Sequence, residues 1–129
     1  MDIYNLISIL SIHFIADFIF QTRNMGKNKG KNIYWLLTHV LVYTTITIFG
    51  WALLIDSVDI LYLFLLTLST HFATDFITSK VSGYCYIKSL ETKHNNYKSS
   101  KWEWRFWSTI GFDQLIHSIT LILTYNYLY

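Results

Sequence analysis

The stretch NIYWLLTHVLVYTTITIFGWALLI, residues 32–55, decides the fold class. It contains no Asp, Glu, Lys or Arg, and it exceeds the roughly 20 residues that an α-helix needs to cross a bilayer. Residues 3–20, 59–79 and 107–128 predict three more spans, if a span can contain a few buried His and Asp residues. The chain has 129 residues and is 53% hydrophobic, so two domains do not fit. We predict one all-α domain, an integral membrane four-helix bundle.

The basic residues are confined to two segments, which predicts the topology. All ten Lys and Arg lie either after the first span or from the end of the third span to the start of the fourth. Under the positive-inside rule, residues 21–32 and 80–106 are therefore cytoplasmic loops and both termini lie outside. We predict a multi-pass protein of a bacterial inner membrane. The net charge of +2 favours contact with membrane lipids, and no nucleic-acid partner is expected.

A short sequence repeats within the chain. Residues 13–19 read HFIADFI and residues 71–77 read HFATDFI, so five of the seven positions are identical. Both copies fall near the cytoplasmic end of a predicted span that runs inward. This pattern indicates two parallel two-helix repeats, spans one and two against spans three and four, related by an axis along the membrane normal.

Ionisable residues inside the predicted spans mark the candidate site. Each central Asp costs about 2.5–3.5 kcal/mol to insert, so such residues suggest function. No Lys or Arg accompanies them within the spans, and either protonated histidines or a metal ion must then balance the carboxylates. The residues are His13, Asp17, His39, His71, Asp75, Asp113 and His117.

Helical spacing brings these residues to one depth. Three of the spans carry a His and an Asp four positions apart, which puts each pair on one helix face. In all three pairs the Asp lies nearer the cytoplasm and the His one turn deeper. His39 enters the second span a few residues from its inner end and reaches the same layer.

Imidazole and carboxylate groups together suit zinc above all, and also manganese, iron or nickel. Cys85 is the only cysteine, so one chain cannot build a thiolate zinc centre. All seven residues are candidate ligands, either for two ions or for one ion with the carboxylates orienting the histidines. Two other interpretations stay open, a proton or ion relay and purely structural hydrogen bonding.

These motifs resemble those of a known family. His-x3-Asp-Phe-x2-Gln begins at His13, a second His-x3-Asp begins at His71, and Asp-Gln-x2-His begins at Asp113. The set resembles a family of small bacterial and phage membrane proteins of unknown function. It is more distantly similar to membrane-bound metal-dependent hydrolases, and that resemblance implies metal chemistry at all seven residues.

We therefore expect a metal-dependent hydrolase that acts on a phosphorylated lipid or another phosphoester at the inner leaflet. Asp17 or Asp113 would serve as general base, and Gln21 and Gln114 would position the substrate. One alternative is a small transporter or channel for divalent cations or protons. Another is a phage-type membrane protein that acts through partner binding. The sequence predicts no oligomeric state.

Overall fold

The structure is a computed structural model that describes residues 1–54, 59–94 and 101–128. These residues form helices and no strand, which confirms the all-α prediction. Helix α1 (Ile3–Phe14) continues into a π-helical turn (Ile15–Ile19). It is followed by α2 (Arg23–Asn28), α3 (Ile33–Leu54), α4 (Ile60–His94) and α5 (Lys101–Leu128).

Side-chain oxygens cap the first four helices. Asp2, Thr22, Asn32 and Asp59 each accept a hydrogen bond from a backbone N–H in the first turn that follows. Such caps satisfy donors that have no partner within the helix. The helix starts are therefore determined by local sequence.

The long helices pack in a ring. Helix α1 contacts α3 and α5, and α4 also contacts α3 and α5, while the short α2 lies against α3. Helices α1 and α4 consequently face each other across the interior. At the end away from the basic segments, Ile9, Trp51, Leu63 and Leu121 form an apolar cluster that closes the interior.

The interior between the helices is unusually polar. One face of helix α4 is buried in the interior. It carries a buried residue at every fourth position: Leu63, Thr67, His71, Asp75 and Ser79. The outer faces carry large apolar side chains instead, such as Leu53, which is 73% exposed, and Leu123, which is 63% exposed. A helix bundle in water has the opposite arrangement.

Two helical segments are long and apolar enough to cross a membrane, Ile33–Leu54 and Ile60–Thr92. The segment Ile3–Ile19 is apolar but shorter. The described residues thus supply two candidate spans, whereas the sequence predicted four. Helix α5 is not one of the two. The polar side chains on its inner face lower its mean hydropathy, although its outer face is apolar.

The segments predicted as cytoplasmic loops contain helix in their described residues. Residues 21–32 contain α2, α4 continues through residues 80–94, and α5 already begins at Lys101. Aromatic contacts support the extension: Tyr84 packs edge-on against Trp102 with ring centroids 5.6 Å apart, and Tyr86 lies 5.5 Å from Phe106. These contacts join the last turns of α4 to the start of α5.

Candidate metal centre

Three helical segments bring four ligand-type side chains together in the interior. His39 comes from α3, His71 and Asp75 from α4, and Asp17 from the π-helical turn. His39 Nε2 lies 3.1 Å from Asp17 Oδ1, 3.1 Å from Asp75 Oδ2 and 3.2 Å from His71 Nε2. All four side chains are almost completely buried.

The spacing of these atoms suits a tetrahedral ion. Donors about 2.0–2.1 Å from a zinc ion lie about 3.3–3.4 Å from one another. Besides the three distances above, His71 Nε2 lies 3.9 Å from Asp17 Oδ1 and 3.7 Å from Asp75 Oδ2. The five distances bracket the tetrahedral value. A single N–H on each imidazole cannot satisfy so many partners, so hydrogen bonding alone explains the arrangement poorly.

The group extends toward α5 through the other oxygen of Asp75. Its Oδ1 lies 3.3 Å from His117 Nε2, and the same nitrogen lies 3.4 Å from Asp113 Oδ1. Two further sets of three ligand atoms within 4.8 Å of one another arise here, His71–Asp75–His117 and Asp17–Asp113–His117. Six of the seven predicted ligands therefore belong to at least one such set.

His13 is the predicted ligand that stands apart. Its Nδ1 lies 2.9 Å from the Tyr43 hydroxyl and its Nε2 lies 3.0 Å from Gln114 Oε1, and it belongs to none of the sets found among the described residues. The π-helical turn, with Phe20 N–H bonded to the Ile15 carbonyl, starts just after His13 and contains Asp17. Gln114 contacts both side chains.

Gln114 and Thr78 hold the carboxylates nearest the surface. Gln114 Nε2 donates hydrogen bonds to Asp17 Oδ2 at 2.7 Å and to Asp113 Oδ2 at 3.1 Å. Thr78 donates through its hydroxyl to Asp113 Oδ1. The amide that was expected to position a substrate thus also fixes the two candidate bases.

Lys29 reaches the cluster from outside the predicted spans and supplies a basic group that the spans themselves lack. Its Nζ donates to Asp75 Oδ2 at 2.8 Å and lies 3.2 Å from His39 Nε2, with the side chain only 14% exposed. The next residue, Gly30, explains the position, because a Cβ at Gly30 would lie 2.5 Å from the Ser79 carbonyl oxygen. Only glycine lets this turn approach α4 so closely.

Tyr43 is a residue of the site that the sequence interpretation missed. Its ring stacks on His71, with centroids 3.6 Å apart and planes 6° from parallel. The contact fixes the plane of the His71 imidazole while the Tyr43 hydroxyl contacts His13. The spacing of four between His39 and Tyr43 on α3 was a signal that could have indicated a shared face.

A polar cavity of about 170 Å³ adjoins the cluster on the side of the basic segments. Asp17, Lys29, Asp113 and Gln114 line it, together with Gln21, whose Oε1 is buried and has no hydrogen-bond partner in the described part of the chain. The cavity gives the carboxylates access to a small molecule from that side.

The sequence model of one family matches residues 5–129. This range includes every residue of the cluster and of the cavity. The chain belongs to the DUF3307 family. DUF3307 is described as a family of proteins of unknown function, in agreement with that part of the sequence expectation. No curated protein and no solved structure matches the chain.

Proposed function

We propose that this protein is a multi-pass membrane hydrolase with one divalent metal ion, zinc by preference, held near the cytoplasmic face. The observation that carries the proposal is the convergence of His39, His71, Asp17 and Asp75, whose ligand atoms lie 3.1–3.9 Å apart in the pairs above, beside a polar cavity. The proposed substrate is a phosphorylated lipid or another phosphoester at the inner leaflet.

The distribution of polarity supports membrane insertion as four spans. A soluble protein rarely exposes apolar patches larger than a few hundred Å². Here leucine, isoleucine and phenylalanine side chains are exposed along the outer faces of α1, α3, α4 and α5, while the histidines and aspartates lie inside. Both termini lie outside in this proposal, because the basic residues gather at the other end.

Cysteine labelling tests this topology. In a Cys85→Ser background, Asn126→Cys near the end of α5 is expected to react with a membrane-impermeant maleimide on intact cells. Asn24→Cys on α2 is expected to react only after permeabilisation. Both residues are exposed, so access from each side is the only variable. Labelling of Asn24→Cys on intact cells would overturn the proposed orientation.

Charge balance favours one ion. With neutral histidines, the carboxylates of Asp17, Asp75 and Asp113 and the ammonium group of Lys29 leave a charge of −2 in a buried site. One divalent cation neutralises this charge, whereas two would leave an excess of positive charge. Buried charges persist only when they are compensated.

The residues around the cavity then have separate roles. A bound divalent ion supplies a Lewis acid that polarises a phosphoryl oxygen. Asp17 lies 3.1 Å from His39, so Asp113, which is outside that group of four and is held by Thr78 and Gln114, is the proposed general base. It takes a proton from water as the water oxygen bonds to phosphorus. The phosphorus–oxygen ester bond breaks, and the leaving oxygen takes the proton that Asp113 had accepted.

The substitution His71→Ala tests the function. It removes an imidazole that lies within 3.2–3.9 Å of three other donor atoms, so the purified protein is expected to lose its ion and to release phosphate from phosphatidic acid at least 100-fold more slowly. His13→Gln is the matched comparison, because His13 contacts Tyr43 and Gln114 and is expected to keep the ion. Metal analysis and phosphate release give the two measurements. Wild-type protein that binds no transition metal after resupply at neutral pH contradicts the proposal.

One observation favours the second candidate, a transporter of cations or protons. Beyond the histidine layer, away from the cavity, Thr44, Thr47, Thr67 and Thr124 are buried on three helices. They continue the polar interior toward the outside. The apolar cluster around Trp51 closes that route, and for this reason we prefer a site open to one side. Ion-dependent uptake into vesicles that requires Thr67 would reverse this preference.

A further inference from the structure

A second, larger cavity lies next to the candidate metal centre. It has a volume of about 670 Å³ and is formed by α2, the turn that follows it and the adjoining face of α4. We call it the lysine groove, after its four lysines: Lys27, Lys29, Lys31 and Lys80. No acidic residue is among the described residues that line it.

The lysine groove and the polar cavity of the candidate metal centre are adjacent and share their walls. Gly26, Lys29, Ser79, Ser82 and Phe106 line both cavities. Lys29 lies at the boundary, since it lines both cavities and its ammonium group bonds to Asp75. A ligand in the groove therefore lies beside the buried carboxylates and histidines.

Most of the positive charge in the groove is unbalanced. Lys29 is paired with Asp75, and the Lys80 ammonium lies 3.5 Å from the centroid of the Phe76 ring. The side chains of Lys27 and Lys31 are exposed and have no carboxylate partner among the residues that the structure describes. Three lysines without a carboxylate, close together, attract an anion.

Ser79 adds a hydrogen-bonding group at the junction. It lies one helical turn beyond Asp75 on α4, and only 7% of it is exposed. Its hydroxyl is buried and has no hydrogen-bond partner within the described ranges, although it lines both cavities. A buried hydroxyl usually has a partner, and a phosphate oxygen is a suitable acceptor for it.

We propose that the lysine groove binds the phosphate group of a phosphate monoester and thereby presents that substrate to the candidate metal centre. Lys27, Lys31 and Lys80 contact the phosphate oxygens, and the Ser79 hydroxyl donates a hydrogen bond to one of them. Tyr86, Ile87 and Phe106 form an apolar wall for the organic part of the ligand. The role as a substrate site rests on the proposed hydrolase function, whereas phosphate binding itself needs no metal.

Two ligands distinguish the source of the phosphate. Detergent-purified protein is treated with a chelator, then titrated calorimetrically with inorganic phosphate, and separately with phosphatidic acid in mixed micelles. Micelles of phosphatidylcholine provide the baseline for lipid that lacks a phosphate monoester. If only phosphatidic acid binds, the substrate is a lipid. If inorganic phosphate binds too, the groove also recognises a phosphate group that is free in solution. Binding of neither overturns the proposal.

Charge variants locate the site. Lys31→Gln combined with Lys80→Gln is expected to weaken binding at least tenfold and to reduce its dependence on salt. Lys88→Gln combined with Lys101→Gln removes the same charge from residues outside the groove and is expected to change the affinity less than twofold. Equal losses in both double variants would overturn the assignment. If the protein binds phosphate but takes up no transition metal when metal is resupplied at neutral pH, the groove assignment stands and only the hydrolase is contradicted.

Discussion

Replacing Asp75 with asparagine is expected to destabilise the protein more than any other single substitution in the interior. The carboxylate bonds to Lys29 at 2.8 Å and lies 3.1 Å from His39 Nε2 and 3.3 Å from His117 Nε2. Removing one partner of a buried ion pair costs about 3–5 kcal/mol, because the other charge stays buried without compensation. Loss of a bound ion would add to this cost, since binding to the folded state stabilises it.

Glu91→Gln provides the comparison for Asp75→Asn. Glu91 pairs with Lys88 at the same 2.8 Å, but both side chains are substantially exposed. Such pairs contribute roughly 0–1 kcal/mol. Unfolding of the two variants in detergent, followed by circular dichroism with and without added zinc, measures the difference. If Asp75→Asn unfolds like Glu91→Gln and keeps its metal, neither the ion pair nor the metal centre has the role assigned to it.

Gly30→Ala is expected to give the second largest effect and to act through the backbone. A Cβ at this position would lie 2.5 Å from the Ser79 carbonyl oxygen, which a helix cannot move easily. The turn must therefore shift away from α4. Forced repacking costs about 1–3 kcal/mol. Because Lys29 precedes this glycine, the shift is also expected to weaken its bond to Asp75.

Gly111→Ala is the control for the glycine substitution. Gly111 lies within α5, and a Cβ there would meet nothing within 4 Å. Alanine in an open helical position stabilises by about 1 kcal/mol relative to glycine. We therefore expect opposite signs for the two changes in the free energy of unfolding. A Gly30→Ala protein as stable as Gly111→Ala would show that the close approach to Ser79 has no energetic importance.

The candidate site was predictable to the extent that it depends on local helix geometry. Spacing of four placed His71 beside Asp75 and Asp113 beside His117, and the structure brings these pairs to 3.7 Å and 3.4 Å. Helical periodicity sets such contacts whatever the rest of the chain does. His13 and Asp17 have the same spacing and both contact Gln114, but His13 belongs to none of the sets of ligand atoms found among the described residues. No sequence pattern predicted the π-helical turn that contains Asp17.

Hydropathy could not predict the length of α4 either. Residues 80–94 are polar enough to resemble a loop, yet they continue the helix. Their aromatic side chains pack against Trp102 and Phe106, about 20 residues further along the chain. Contacts between distant segments outweighed the local composition, as they often do for helices.

The sequence by itself determined the all-α class, the starts of the capped helices and the residue types available to the site. Only the tertiary structure decided which of them meet. Lys29 reaches Asp75 across 46 positions, and Gln114 reaches Asp17 across 97. The first contact depends on how closely a turn approaches α4 at Gly30, and the second on how α5 packs beside α1. Local spacing cannot encode either distance, because each arises from the packing of separate helices.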